Sequence, residues 1–503
     1  MVCLDKSGAW KNAEYWRQLC PNLTITNDSN SSSRTNNHDN TLGSIKHNKI
    51  DEKITNKIFS QLKVDGYSLV DFSNIIHDGN ESNETNFLIK PKLLSKIASS
   101  IETLTEKNIP ASMIFLYDEV WEISQVAGQL ISQSTHTLNI PNFDMLAWNI
   151  NASKNECGFS PHRDRQPEDK QGIKESFHSS NGQAKYITLW LALTDATPEN
   201  SCLYVIPQQF DPGYYEGDDN DEANSDNSFE NETDNRDVKD PLQLALTSKE
   251  SYQNIRAIPR LSGQAVLFTH RILHWGSKGN PQCKNPRIAL SFVSSDPQFE
   301  KAYISPSHFN PPSSTPCAKN TNGFDTNISN ENSTLPSFKI RLVLVCAQLL
   351  IYYQRLNLDI TTIRSCYNFC KENEHILEDT YRKKVYVEFV KAMKESQQNN
   401  TQNNSIDSSS GHMQNGKTVN KESNKKEIKN MTATTKFLCD KTSGDEDDNE
   451  QLFKKQKISP FGNVDEDEDS DEDKMLNAMI DAEDAGYNEF QDDYDDEFED
   501  EEN

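Results

Sequence analysis

The chain has 503 residues, 34% of them hydrophobic, and a formal charge of −27. It is long enough for two or three domains but too polar to bury a core throughout, so part of it is expected to stay unfolded. In residues 445–503, 26 acidic residues meet 4 lysines, and in residues 216–240 another 11 meet 2 basic ones, which leaves about +4 elsewhere; the acidity belongs to appendages and argues against nucleic-acid binding by them.

In chain order, a short aromatic segment with Trp10, Tyr15 and Trp16 leads into an Asn/Ser-rich run, so 1–50 reads as an N-terminal segment and flexible linker. Order is expected from 51. Ile54, Ile58 and Leu62 recur at helical spacing before Asp65-Gly66 and the strand-like YSLVDF. Helices are predicted over 91–107, with Leu93, Leu94, Ile97 and Ile101 on one face, and over 113–133. In KYITLWLAL, Ile187, Leu189, Leu191 and Leu193 share one side while Tyr186, Thr188, Trp190 and Ala192 share the other. RIALSFV divides likewise, with Arg287, Ala289 and Ser291 opposite Ile288, Leu290 and Phe292. With FDMLAWNI, CLYVIP and QAVLF this predicts an all-β core of two facing sheets, helices outside. Residues 211–240 read as a solvated acidic loop inserted in a 51–305 domain. Beyond it, 306–335 reads as a linker, 336–396 as a small docked helical element with stripes at Leu342, Val345, Leu349, Tyr352 and at Val385, Phe389, Met393, and 397–503 as a disordered acidic tail.

Ten cysteines lack disulfide or zinc spacing, Cys366 and Cys370 reading as buried helix residues, which fits reduced thiols. The N-terminus offers no apolar stretch of signal-peptide length, and the greasy run 340–353 is interrupted by Arg341 and Gln348. A protein that is not secreted, without a membrane span, in the cytoplasm or nucleus, is expected. Lys454-Lys455-Gln456-Lys457 resembles a short nuclear-import signal, although such clusters arise by chance.

The chemistry concentrates in CGFSPHRDRQ, LFTHRILHWGSKG and NPRIALSF. On extended backbone, His162 and Asp164 point the same way and can offer two ligands to one ion, while Arg163 and Arg165 point elsewhere, towards an anionic substrate or a salt link with Glu168 or Asp169. An HxD pair alone is weak; a third ligand must come from a distant strand. His274 suits that role better than its neighbour His270, because it precedes the stretch leading to Arg287. Two imidazoles and a carboxylate suit Fe(II), and a buried arginine can grip an acid's far carboxylate. His178 reads as a solvated loop residue.

HRD at 162–164, LWLALTDATPENSCLYVIP at 189–207 and AVLFTHRILHWGSKGN with Arg287 together resemble the phytanoyl-CoA dioxygenase-like family, over about residues 55–300. The resemblance implies a double-stranded β-helix (jelly roll, cupin-like) mainly β core with flanking helices, Fe(II), 2-oxoglutarate and O2, with His162, Asp164 and His274 on iron. It implies that Arg287 holds the 2-oxoglutarate C5 carboxylate and that Trp190 and Ser277 help shape that pocket, although Trp190 equally suits plain core. The sequence departs from the pattern at Pro207-Gln208-Gln209-Phe210, and Trp275 and Gly276 separate Ser277 from His274. The expected reaction is hydroxylation of an unactivated C–H bond with release of succinate and CO2, the carboxylate of Asp164 favouring this over halogenation. A small-molecule or acyl-type substrate is favoured. The alternatives are a protein or peptide hydroxylase, a partner being recruited through the acidic tail, a zinc or manganese cupin enzyme, and a non-catalytic cupin-like scaffold.

Overall fold

A computed structural model describes residues 8–26, 50–72, 89–137, 139–167, 170–218, 241–304, 308 and 335–408, all within the compact unit Met1–Lys441. The Asn/Ser-rich run 27–49, most of the acidic insertion, most of the linker 306–335, the Lys454 cluster and the acidic tail beyond 408 lie outside the described residues.

Among the described residues, eight antiparallel strands form two sheets. β1 (Tyr67–Asp71), β6 (Gln264–Thr269), β3 (Tyr186–Ala192), β8 (Arg287–Ser295) and β2 (Ile140–Ile150) lie side by side in that order, and β5 (Arg256–Ile258), β4 (Leu203–Ile206) and β7 (Leu273–Gly276) form the smaller sheet. β3 is central, hydrogen-bonded to β6 and β8, and every residue of β3 and β8 is buried. The face carrying Thr188, Trp190, Arg287 and Ser291 lines a cleft of about 1410 Å³, as the alternation predicts, while helices Pro91–Glu106 and Asp118–Thr135 pack against the main sheet. The strand-like YSLVDF and the turn at Gly66 (φ +79°) also stand where the sequence puts them. The described residues nonetheless carry much more helix than an all-β core implies.

Three expectations are corrected. First, the N-terminal aromatic segment is part of the fold. Trp10 and Trp16 are buried, the Tyr117 hydroxyl donates to the Trp16 carbonyl at 2.7 Å, and Trp10 meets Phe369 edge-on at 5.4 Å.

Second, residues 336–396 are helical as expected, but the first helix lies inside the core and not on its surface. Helix Phe338–Ile351 is buried all round from Arg341 to Leu350, and Arg341, 1% exposed, pairs with Asp118 at 2.5 Å and donates to the Leu116 carbonyl. A helix apolar on every side belongs inside a core, because no face of it gains from contact with water.

Third, the acidic insertion does not begin as a solvated loop. Asp211 and Asp218 have fully buried side chains and together neutralise the equally buried Arg163, at 2.6 and 2.7 Å. Burying three charges is tolerable only because each is paired, and the pairing holds Arg163 well above its ordinary range against the desolvation that opposes it.

Candidate metal centre

The two ligand segments meet because the chain before β3 crosses β7. His162 and His274 exchange backbone hydrogen bonds of 3.0 and 3.1 Å, and Asp164 N–H donates to the His270 carbonyl at 3.0 Å. Their close approach needs Gly158 and Gly276. A Cβ added at Gly158 would stand 2.5 Å from the Gly276 Cα, so no larger residue fits without parting the segments.

This crossing gathers His162, Asp164 and His274 so that one donor atom from each lies within 4.8 Å of the others. Asp164 Oδ1 stands 3.8 Å from His162 Nε2 and 3.6 Å from His274 Nε2. Each imidazole has its Nδ1 at a backbone carbonyl, Ser160 O at 2.8 Å and Ile272 O at 3.1 Å, so the proton sits there and the Nε2 lone pairs face inward. Thr188 donates to Asp164 Oδ2 at 2.6 Å and leaves Oδ1 free. Burial, then the neighbouring His274, pushes His162 down to about 3 against the pull of Asp164, so its ring is neutral at physiological pH. Burial raises Asp164, but the two imidazoles and the Thr188 hydrogen bond outweigh it and hold the carboxyl below its ordinary range. Three lone pairs thus converge with no hydrogen-bond donor between them. Such a cluster repels itself unless a cation sits at its centre, and two imidazoles plus one carboxylate form the facial set of non-haem Fe(II).

Arg287, 3% exposed, opens β8 on the cleft side. Among the described residues no carboxylate pairs with it, and its Nε has no hydrogen-bond partner; its only contact of note is the Trp190 ring, 5.5 Å from the guanidinium carbon. Burial pushes it down to about 10, so it remains a cation at neutral pH. A buried, unpaired guanidinium facing a cleft is costly and is explained by an anion supplied from outside.

Trp190 lines the cleft and also packs with Val266 and Phe268 in the core. Ser277 does not line the cleft; its N–H donates to the Cys202 carbonyl at 3.3 Å, because the residue follows Gly276 out of β7. His270, the rejected candidate, is wholly buried beside the Ser176 hydroxyl at 2.8 Å. His178 is not solvated: it lies 3.6 Å from Asp296 and 3.2 Å from Asn139. Arg165 pairs with Glu300 at 2.6 Å and Asp144 at 3.0 Å, and Arg163 with Asp211 and Asp218; Glu168 and Asp169 lie outside the described residues.

The sequence reading missed Thr188, although its face-sharing with Trp190 points to it, and it missed a polar hub at Asp144. That carboxylate accepts from Arg165 and from the hydroxyls of Tyr186, Tyr303 and Tyr352, at 2.9 to 3.1 Å. Tyr352, at the end of helix Phe338–Ile351, borders the cleft; its place in the helical stripe could be read from the sequence, its hydrogen bond to Asp144 could not.

Residues 95–283 match the family model described as phytanoyl-CoA dioxygenase (PhyH), and over this segment the chain is similar to that family. Among solved structures it is similar to the α-ketoglutarate-dependent epimerase SnoN of nogalamycin biosynthesis (14% identity, 49% of this chain and 82% of that one, TM-score 0.31). It is also similar to EctD from S. alaskensis with 2-oxoglutarate and 5-hydroxyectoine (14%, 49% and 76%, 0.28), and to HygX from Streptomyces hygroscopicus with nickel and 2-oxoglutarate (10%, 49% and 88%, 0.29). No curated protein matches the chain. No helix among the described residues is long and apolar enough to cross a membrane.

Proposed function

We propose that the chain is a hydroxylase of a small-molecule or acyl-type substrate, with His162, Asp164 and His274 holding Fe(II) and Arg287 holding the far carboxylate of 2-oxoglutarate. The observation that carries this reading is the pairing of two unmet electrostatic demands in one cleft: three lone pairs without a cation, and a buried cation without an anion. One iron and one dicarboxylate answer both. The strand order, with His162 bridged to β7 in place of a fourth strand in the smaller sheet, supports a double-stranded β-helix.

Bound iron, 2-oxoglutarate and O2 supply an oxidant for a C–H bond, with succinate and CO2 released. The residues do the rest. Thr188 and the two backbone carbonyls fix the ligands' orientation, Arg287 fixes one end of the co-substrate beside Trp190, and the buried strands β3 and β8 exclude water from the floor of the cleft.

Anaerobic addition of Fe(II) and then 2-oxoglutarate to the purified protein is expected to raise a weak visible charge-transfer band. H162A and D164A should abolish it together with stoichiometric iron. A protein without the band, whose metal content is indifferent to both substitutions, is a scaffold and not an oxygenase.

A further inference from the structure

The PhyH match ends at residue 283, yet the cleft wall continues into Tyr352, Gln354, Arg355 and Leu356, beyond helix Phe338–Ile351. Arg355 is exposed to the cleft. Its guanidinium carbon stands 4.7 Å from the centre of the Phe159 ring and 5.7 Å from that of Tyr352. Phe159 in turn meets His162 edge-on at 5.6 Å and Trp148 at 4.5 Å. One aromatic ring therefore separates Arg355 from His162.

Arg355 has no carboxylate partner among the described residues, in contrast to Arg163 and Arg165, whose charges Asp211, Asp218, Glu300 and Asp144 absorb. The arginine is nevertheless positioned: two rings hold its flat face, and Tyr352 is tied to both oxygens of Asp144 at 3.1 Å. A guanidinium stacked on aromatics keeps its in-plane N–H donors free, and a fork of that kind fits a carboxylate or phosphate. The far carboxylate of 2-oxoglutarate is accounted for by the deeper Arg287, so the second unpaired guanidinium is left for another anion.

We propose that Arg355 is a specificity residue that binds a carboxylate or phosphate group of the primary substrate at the mouth of the cleft, with Phe159 as its platform and Tyr352 as its anchor. The inference rests on the oxygenase reading above.

The test uses the full chain loaded with Fe(II) and 2-oxoglutarate under nitrogen and titrated calorimetrically with matched probes: straight-chain acids of six to twelve carbons against their amides, and the alkyl phosphates against the alcohols. The parent protein should bind at least one anionic series about ten-fold or more tightly than its neutral counterpart, and whichever series wins identifies the group as carboxylate or phosphate. R355Q should bring that ratio close to one, and R355K should restore part of it, while the Fe(II)·2-oxoglutarate band stays unchanged in both. A parent protein without any preference for anions, or a preference that survives in R355Q, overturns the assignment. Loss of the band in the parent protein defeats the oxygenase reading instead, which keeps the two failures apart.

Discussion

Replacing Arg287 by methionine keeps the unbranched stem and removes the charge, and the structure predicts effects of opposite sign on binding and on stability. In the protein without co-substrate the guanidinium is buried and unpaired. Its fall from the ordinary arginine range to about 10 corresponds to roughly 3 kcal/mol of cost to the folded state. The sign follows from linkage. A cation whose folded pKa is depressed destabilises the fold wherever it is charged in both states, hence fully at neutral pH, and the cost fades only above about pH 10. R287M should therefore raise the stability of the ligand-free protein by about 1–3 kcal/mol in urea or thermal unfolding. Binding should move the other way. Losing one partner of a buried, hydrogen-bonded charge pair costs about 2–5 kcal/mol, so 2-oxoglutarate affinity should fall by about 30- to 5000-fold. Titration of the anaerobic charge-transfer band measures that affinity directly. R287K, a point charge without the planar fork, should lie between. Affinity within about three-fold of the parent protein, or a loss of ligand-free stability, would refute the claim that Arg287 waits for an external carboxylate.

T188V removes the hydroxyl that fixes Asp164 Oδ2 and should weaken Fe(II) binding about 10- to 100-fold while iron and 2-oxoglutarate still bind at saturation; a metal titration that matches the parent protein would show that Asp164 needs no such support. G276A forces a methyl group against the Gly158 backbone, 2.6 Å away, and should cost metal occupancy more than it costs secondary structure, read as iron content against circular dichroism. Glu300 is raised by burial but held down to about 2 by Arg165, Lys384 and the Tyr303 hydroxyl, so it stabilises the fold above its ordinary value of about 4.5, and that contribution disappears as pH falls to about 2. E300Q should lower stability at pH 7 by about 3 kcal/mol and flatten the acid limb of the stability profile between pH 5 and 2; an unchanged acid limb would mean that other carboxylates govern it.

Alternation made β3 and β8 readable: Thr188, Trp190 and Arg287 share a face because a strand repeats every two residues, and any pocket they line follows from that count. Strand β7 could not be read in this way. LHWG is four residues long and mixes Leu273 and Trp275 with His274 and Gly276, too short a run for alternation to show a strand after QAVLF. The ion triad of Arg163 was hidden by composition, since Asp211 and Asp218 open a stretch so acidic that each of its carboxylates looks solvated. The helices of residues 336–396 were legible as a docked element, but the depth of the first was not, although Leu342 to Leu350 are apolar on more than one face, which is the mark of a helix inside a core. Trp10 and Trp16 gave the same kind of signal, since an isolated flexible arm has little use for indoles.

The convergence of Tyr186, Arg165, Tyr303 and Tyr352 on the one carboxylate of Asp144 bears on the order in which the molecule matures. All three metal ligands leave the ribosome well before Tyr352 does, and until then Asp144 lacks the contact that ties the last wall of the cleft to the strand beneath. A nascent chain thus carries an unfinished cleft wall for the time needed to add some eighty further residues beyond His274. The last wall of the cleft is thereby added only when Tyr352 and the segment after helix Phe338–Ile351 have emerged, and a chain cut short before that point would present His162, Asp164 and His274 in a cleft lacking that wall.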